Sequence, residues 1–217
     1  MAQIFTLDNL LFMLDGLKMT IIISIATIFF SLIIGTFLAL FRNYCKGKYK
    51  ILSILAGIYI ELFRCTPNLL WILMIYFTMK GNAIYVSIFT FTLFTSAVVA
   101  EIVRGGLNGI PTSQFEGAAS QGFRFYQSLI YIILPQTYRS IIPALLSQVT
   151  TIIKDTSFLK AINVAEYMTN SSIVMGQYAI TLPQISALYG TIAFTYFVLN
   201  FGILMIVRKY TKNATVF

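Results

Sequence analysis

Long apolar runs without a charged residue constrain the fold of this chain more than any other feature. Residues 19–41 contain no charge over 23 positions, residues 81–100 none over 20, and residues 167–207 none over 41. A helix needs about 20 predominantly apolar residues to cross the hydrocarbon core of a bilayer. Only 10% of the 217 residues are charged and 58% are hydrophobic, whereas a soluble domain is roughly one-quarter charged. The sequence therefore predicts an all-α integral membrane protein.

Five transmembrane helices are predicted, and the basic residues orient them. The predicted spans are residues 19–41, 51–79, 81–100, about 140–155 and about 183–207. Cytoplasmic loops of membrane proteins carry an excess of Lys and Arg. Ten cations fall on one side of these spans: Arg42, Lys46, Lys48, Lys50, Arg104, Arg124, Arg139, Arg208, Lys209 and Lys212. Four fall on the other side: Lys18, Lys80, Lys154 and Lys160. We therefore expect the N-terminus outside and the C-terminus in the cytoplasm, an assignment that an even number of spans would break.

The first 18 residues are predicted to form a helix of their own. Apolar residues recur at helical spacing over residues 4–17, which is typical of a helix that lies in the membrane interface. We expect an interfacial helix on the outer leaflet, with a frayed terminus as the alternative. No tandem repeat or linker divides residues 1–217, so the chain is predicted to be one membrane domain.

The composition excludes several classes of chemistry. Histidine is absent, which removes the usual general base and the imidazole metal ligand. Cys45 and Cys65 have neither zinc-site nor disulfide spacing, and no phosphate-binding G-x-x-x-x-G-K-[ST] motif occurs. We therefore expect neither catalysis nor a cofactor in this chain, so that any ATP and Mg²⁺ would be bound by another subunit. The cations lie between apolar runs, as in membrane loops, and nucleic acid binding is not expected.

The segment between the third and fourth predicted spans is long for a loop in a compact membrane domain, and such loops are usually functional. Pro111 ends the preceding segment, and Ser113 and Glu116 have the spacing of a capping box that opens a helix. Small side chains follow, and Gly122 has the character of a C-terminal glycine. The sequence thus predicts a short cytoplasmic helix at about residues 111–123, which a partner protein could approach closely.

These residues resemble the signature of a known family. Glu116-Gly117-Ala118, Gly122 and Ile132-x-Leu134-Pro135 are similar in order and spacing to the E-A-A-x3-G-x9-I-x-L-P signature of ABC importer permeases. Other blocks resemble the polar amino acid uptake branch of that family: Gly16-x3-Thr20, Glu61-Leu62-Phe63-Arg64-x-Thr66-Pro67, Glu101-Ile102-Val103-Arg104-Gly105-Gly106 and Lys154-Asp155-Thr156-Ser157. The chain departs from the family pattern at Gly117, where Ala is usual, and at Gln121 and Phe123, where aliphatic residues are common.

The resemblance implies a mechanism and a set of partners. The short helix would be the coupling helix that docks into a cleft on an ATP-binding subunit. Its predicted coupling residues are Ser113, Glu116, Gly117, Ala118, Ala119 and Gly122. Dimerisation of two such ATPases would switch a pair of permeases between inward-open and outward-open states. The expected partners are therefore the ATPase, a second permease subunit, an extracytoplasmic solute-binding protein, a polar amino acid and the lipid of a bacterial plasma membrane. For Glu116 two compatible roles are predicted, one as a member of the capping box and one in docking to the ATPase.

Ionisable residues at membrane depth mark a predicted substrate path, because charges there are costly and usually functional. The predicted path residues are Glu61, Arg64, Thr66, Pro67, Lys154, Asp155, Thr156 and Ser157. Glu61 and Arg64 share a helix face. They either neutralise each other at a helix contact, or line the path and brace a break at Thr66-Pro67.

Lys154 and Asp155 are adjacent and therefore point about 100° apart on a helix. One of them would face the cavity and the other a neighbouring helix. Either this segment is a helix end from which Lys154 reaches the outer interface, or Asp155, Thr156 and Ser157 accept a substrate ammonium. A rival function, an autonomous secondary transporter or channel, would use the intramembrane charges as an ion or proton relay.

Overall fold

The computed structural model describes residues 4–179 and 181–214, with side chains described as far as residue 209. Within these ranges every regular element is helical, so the all-α prediction is confirmed. The α-helices are α1 (Leu7–Tyr44), α2 (Lys50–Cys65), α3 (Asn68–Thr78), α4 (Ala83–Asn108), α5 (Thr112–Ser120), α6 (Phe125–Ser128), α7 (Leu134–Asp155), α8 (Tyr167–Tyr178) and α9 (Leu182–Ala214). A π-helical turn at Leu129–Ile133 joins α6 to α7, and a 3-10 segment at Thr156–Ile162 follows α7.

Among the described residues, four helical segments are long and apolar enough to cross a membrane: Leu7–Tyr44, Ala83–Asn108, Phe125–Ile162 and Leu182–Lys209. The pair of α2 and α3 is a fifth candidate, although it is bent by 105°. The break falls at Thr66-Pro67, as the sequence predicts. Because proline disfavours a helical backbone at the preceding residue, Thr66 is extended, with φ −117° and ψ 147°.

α1 and α4 form the most extensive helix contact in the described part of the chain, and two contacts at successive positions show that they run parallel. Ser31 Oγ donates to the carbonyl oxygen of Thr92 at 3.4 Å. One turn further along both helices, Gly35 lets the backbones touch, since a Cβ there would lie 2.9 Å from the carbonyl oxygen of Ser96. Because α1 and α4 point the same way, the chain between them must return along the bundle. α2 and α3 make that return.

α7 runs antiparallel to α4. Gly106, near the end of α4, lies against Ile141 in the first half of α7. Val99, two turns earlier in α4, shares a crevice with Ile152 near the end of α7. α9 packs beside α7, and the shorter α8 packs on the first turns of α1.

The separate interfacial helix predicted for residues 1–18 is not found. Residues 7–18 are the first turns of α1, which continues to Tyr44 over 38 residues, or about 57 Å at 1.5 Å per residue. The charges of Asp15 and Lys18 suggest a boundary, but both residues are exposed, whereas Gly16 is buried against the segment before α8. This packing keeps the helix continuous. Residues 1–3 and the side chain of Lys212 lie outside the described residues.

Candidate functional site

A short helix, α5, is present where the sequence predicts one. It begins directly after Pro111, whose carbonyl oxygen accepts the N–H of Gln114 at 3.1 Å. The predicted capping box is wrong, because Ser113 lies inside the first turn and no side chain caps the helix. Proline itself supplies the extended residue before the helix. Glu116 therefore has no capping role, and of its two predicted roles docking remains.

α5 ends in a Schellman motif around Gly122. The N–H of Gly122 donates to Ala119 O at 2.9 Å, and the N–H of Phe123 donates to Ala118 O at 3.1 Å. Gly122 has φ +84°, a left-handed conformation that favours glycine. The predicted C-terminal glycine is confirmed. Gly117 faces open space, with nothing within 4 Å of a Cβ built there, so a partner could approach the helix backbone at this point.

Three aromatic rings, which we term the aromatic clamp, join α5 to its neighbours. The Tyr44 ring at the end of α1 lies 5.2 Å from the Phe125 ring of α6, edge to face, and 6.4 Å from the Phe115 ring of α5. The rings of Phe115 and Phe125 are stacked at 6.3 Å. Beside the clamp is a recess of about 310 Å³, and the residues that line it are Phe115, Glu116, Ala119, Phe123, Phe125 and Ser128. The clamp fixes α5 to the end of α1.

Near the ends of α1 and α4, Glu101 is shared by three arginines. Arg104 donates to it through Nε at 2.9 Å and Nη2 at 2.8 Å, and Arg42 and Arg64 lie 3.6 Å away. Arg42 also pairs with Glu61 at 2.9 Å. The interpretation that Glu61 and Arg64 neutralise each other is therefore wrong. Each has a partner on another helix, and the cluster ties α2 to α1 and α4.

The second predicted group lies at the end of α7. The Asp155 carboxylate is half-buried and contacts the amide of Asn68, the first residue of α3. Asp155 is thus beside the Thr66-Pro67 break. Lys154 instead lines a cleft of about 360 Å³ between α7 and α9. The prediction that Lys154 and Asp155 face different surroundings is confirmed.

The hydroxyl residues after Asp155 differ in exposure. Thr156 is buried, and its hydroxyl donates to the carbonyl oxygen of Ile153 at 2.7 Å, whereas Ser157 is partly exposed. Across the cleft from Lys154, Asn200 Oδ1 has no hydrogen-bond partner among the described residues.

The structure therefore divides the eight predicted path residues into separate groups. It places Asp155 beside Thr66 and Pro67 through the contact with Asn68, and it leaves Lys154 in the cleft against α9. Glu61 instead pairs with Arg42, and Arg64 pairs with Glu101.

Glu166 is a buried carboxylate that the sequence interpretation missed. It has no exposed surface, and it caps α8 by accepting the N–H groups of Met168 at 2.8 Å and Thr169 at 2.6 Å. The hydroxyls of Thr169 and Thr20 also donate to it, at 2.8 and 3.5 Å. Burial raises the pKa of the Glu166 carboxyl above its ordinary value, and these hydrogen bonds offset part of that effect.

Glu166 and its neighbours hold α8 on α1, in contacts that we term the α1–α8 junction. Thr20 Oγ1 accepts the N–H of Tyr167 at 3.2 Å. A Cβ on Gly16 would lie 2.8 Å from the carbonyl oxygen of Glu166, so only glycine allows this approach. The sequence signals were Gly16-x3-Thr20 and a lone acid before a polar segment. Nothing in the sequence pairs them, because 146 positions separate Thr20 from Glu166.

Several apolar helices, a short helix between α4 and α7, and charges held against one another inside the bundle define a multi-span membrane transport component. The family described as "Binding-protein-dependent transport system inner membrane component" matches residues 31–213 of this chain. The chain belongs to that family, and it is a multi-pass protein of the plasma membrane.

Individual relatives agree with this assignment. The chain is 30% identical to the probable glutamine ABC transporter permease protein GlnP of Bacillus subtilis strain 168, over 96% of each chain. It is 28% identical to the glutamate/aspartate import permease protein GltK of Escherichia coli O157:H7, over 95% of each.

Solved structures share the fold. A crystal structure of an amino acid ABC transporter with histidines matches with a TM-score of 0.80 and 26% identity, over 93% of this chain and 94% of that one. An inward-facing structure of the MetNI methionine ABC transporter matches with a TM-score of 0.77 and 16% identity, over 95% and 99%. The second likeness bears on the fold alone.

Proposed function

We propose that this chain is the permease subunit of an ABC importer that moves polar amino acids across the plasma membrane by alternating access. The observation that carries the proposal is α5, a short helix with the E-A-A-type signature between two candidate spans. Relatives named as glutamine and glutamate/aspartate permeases support the amino acid as cargo. A separate ATPase binds ATP and Mg²⁺, and the permease does no covalent chemistry.

The subunit crosses the membrane five times, with its N-terminus outside and its C-terminus in the cytoplasm. The parallel course of α1 and α4 supports this topology, because α2 and α3 must then count together as one crossing. Four basic residues lie at and just after the end of α1: Arg42, Lys46, Lys48 and Lys50. Under the positive-inside rule they put that end, and with it α5, in the cytoplasm.

Two permease subunits pair to enclose the path. One face of α7 carries small or polar side chains that are exposed or partly exposed: Ser140, Ala144, Ser147, Thr151 and Lys154. Hydroxyl and ammonium groups are costly against lipid and favourable against water or another helix. This face therefore lines a path or meets a second subunit.

The outer part of the path uses the charge of Asp155. Asp155→Asn keeps the size of the side chain and an oxygen that can still bond Asn68, so the bend between α2 and α3 is retained while the charge is lost. We expect uptake into proteoliposomes containing the complete transporter to fall at least tenfold, with ATPase co-purification unchanged. Asp15→Asn, an exposed acid on α1, is the control and should leave uptake intact. Wild-type uptake by Asp155→Asn would remove Asp155 from the path.

The proposed function is tested by co-purification and by stimulated ATP hydrolysis. The chain is expressed with the ATPase and solute-binding protein encoded in the same genome, and the ATPase should co-purify at one copy per permease. The binding protein loaded from a panel of polar amino acids should then stimulate hydrolysis. A chain that purifies without an ATPase, and that moves solute alone down an imposed ion gradient, would instead support the secondary-transporter alternative.

A further inference from the structure

The C-terminal end of α1 contacts α5, the proposed coupling helix. Tyr44, its last residue, belongs to the aromatic clamp, which includes Phe115 of α5. Just before it, Asn43 Nδ2 donates to Asn108 Oδ1 at 3.0 Å, and Asn108 is the last residue of α4. The end of α1 is therefore in contact with both α5 and the end of α4.

α1 is built to carry a movement of α5 as a rigid body. It is one helix without proline, and the close approach at Gly35 holds it against α4 along their shared length. Ser31 lies level with Thr92, so α1 continues for several turns beyond Ala83, the first residue of α4. That extension reaches a part of the subunit that α4 does not.

The extension ends at the α1–α8 junction. Thr20 and Gly16 are held against the start of α8. One turn earlier, the Phe12 carbonyl oxygen accepts a hydrogen bond from Asn170 Nδ2 at 2.8 Å. α8 is therefore held on α1 over two turns, by two hydrogen bonds that involve side chains and by one close backbone approach.

We propose that α1 is the lever that carries movement of the coupling helix to α8 at the outer end of the subunit, and that Tyr44 is the positioning residue that joins it to α5. The proposal rests on the proposed function, in which α5 receives the ATPase. Tyr44 itself touches neither ATP nor substrate. It sets how much of the displacement of α5 reaches the outer face.

The test compares Tyr44→Ala with the wild type in proteoliposomes that contain the complete transporter. The ATPase should still co-purify at the wild-type ratio, while the amount of amino acid moved per ATP hydrolysed falls at least threefold. Tyr44→Phe keeps the ring and should restore the wild-type value. Tyr126→Ala removes an exposed ring next to Phe125 and serves as the matched control, with no expected change. If Tyr44→Ala does not assemble, Tyr44→Leu, which keeps apolar bulk without a ring, takes its place.

A distance measurement reports on the lever directly. Spin labels on Gln177→Cys in α8 and Lys80→Cys between α3 and α4, with Cys45 and Cys65 replaced by serine, should show a distance that changes on ATP binding. The change should be lost in Tyr44→Ala. An ATP-dependent change of full size in Tyr44→Ala, or unaltered transport per ATP, would overturn the proposal. Failure of the wild type to bind any ATPase would instead contradict the proposed function, before any variant is compared.

Discussion

Replacing Glu166 with alanine is expected to lower the melting temperature of the detergent-solubilised subunit by about 6–12 °C, the shift that about 3 kcal/mol produces in a chain of this size. Loss of the helix cap alone costs about 1 kcal/mol. The cost here is larger than for an exposed cap, because the N–H groups of Met168 and Thr169 that lose this acceptor are sheltered from water, and a buried donor left unsatisfied costs about 1–3 kcal/mol. Thermal unfolding followed by circular dichroism measures the shift. Because this carboxylate caps α8 and is one of the contacts that hold α8 on α1, α8 should also become more accessible to protease.

The matched control for Glu166→Ala is Asp15→Ala. Asp15 is an acid on α1 that is exposed and next to Gly16. Its removal should change the melting temperature by no more than about 1–2 °C, since exposed surface substitutions usually stay within about 0.5 kcal/mol. Equal stability of Glu166→Ala and the wild type would show that the α1–α8 junction does not depend on the carboxylate.

The pH dependence of Glu166→Gln is a second measure of the same site. The folded protein holds the Glu166 proton more tightly than the unfolded chain, because burial raises the pKa of this carboxyl. The contribution of this group to stability is then fully present below the unfolded pKa and is lost as the pH rises through the folded pKa. The wild type should therefore lose stability relative to Glu166→Gln over that window. A difference that does not vary with pH would contradict the raised pKa.

The hydrophobic pattern of the sequence predicts which helices are long and apolar enough to cross a membrane. Four of the five predicted spans overlap single helical segments of the structure. The remaining one, residues 51–79, corresponds to the bent pair of α2 and α3. Local backbone chemistry is equally accessible from the sequence. Proline at 67 predicts the break, and Gly122 predicts the end of α5, because each acts through its own backbone conformation.

Features that depend on distant partners could not be predicted in this way. Glu61 and Arg64 are three positions apart and share a helix face, which favours a local pair. In the folded chain Arg42 and Glu101 lie closer to them, and the choice of partner depends on how α2 crosses α1 and α4. Glu166 was missed for the same reason, because its donor Thr20 is on another helix. The separate N-terminal helix was wrong because Asp15 and Lys18 are exposed charges on a helix that continues past them.

The capping box at α5 failed through competition between two local signals. Ser113 and Glu116 have the correct spacing, but Pro111 precedes them and sets the start of the helix one residue before Ser113. From inside the first turn, a serine side chain in the capping geometry could reach only N–H groups that already donate to carbonyl oxygens of the helix. The ring of Pro111 fixes its backbone φ angle covalently, whereas the preference of serine for the N-cap position rests on one side-chain hydrogen bond. The proline therefore determines where the helix begins.

Glu101→Gln should destabilise the subunit about as strongly as the loss of Glu166, because the Glu101 carboxylate is the shared anion of three arginines. The Glu101 side chain is 17% exposed, and Arg42, Arg64 and Arg104 lie within 3.6 Å of it. Removing one partner of a largely buried ion pair costs about 3–5 kcal/mol, and here the remaining cations also repel one another. Because the arginines are partly exposed, the low end of that cost applies, about 3 kcal/mol. This free energy corresponds to a melting temperature about 6–12 °C lower.

A second substitution separates repulsion from simple loss of contact. Arg104→Met in the Glu101→Gln background removes the cation that made the two shortest contacts, so the double variant should recover part of the lost stability. A coupling of about 1–3 kcal/mol between the two positions is expected from such a cycle. Glu61→Gln is the control: its side chain is 66% exposed and makes one ion pair, so its loss should cost less than about 1 kcal/mol. If Glu61→Gln is as damaging as Glu101→Gln, or if the double variant is no more stable than Glu101→Gln alone, Glu101 is not the shared anion that holds α2 against α1 and α4.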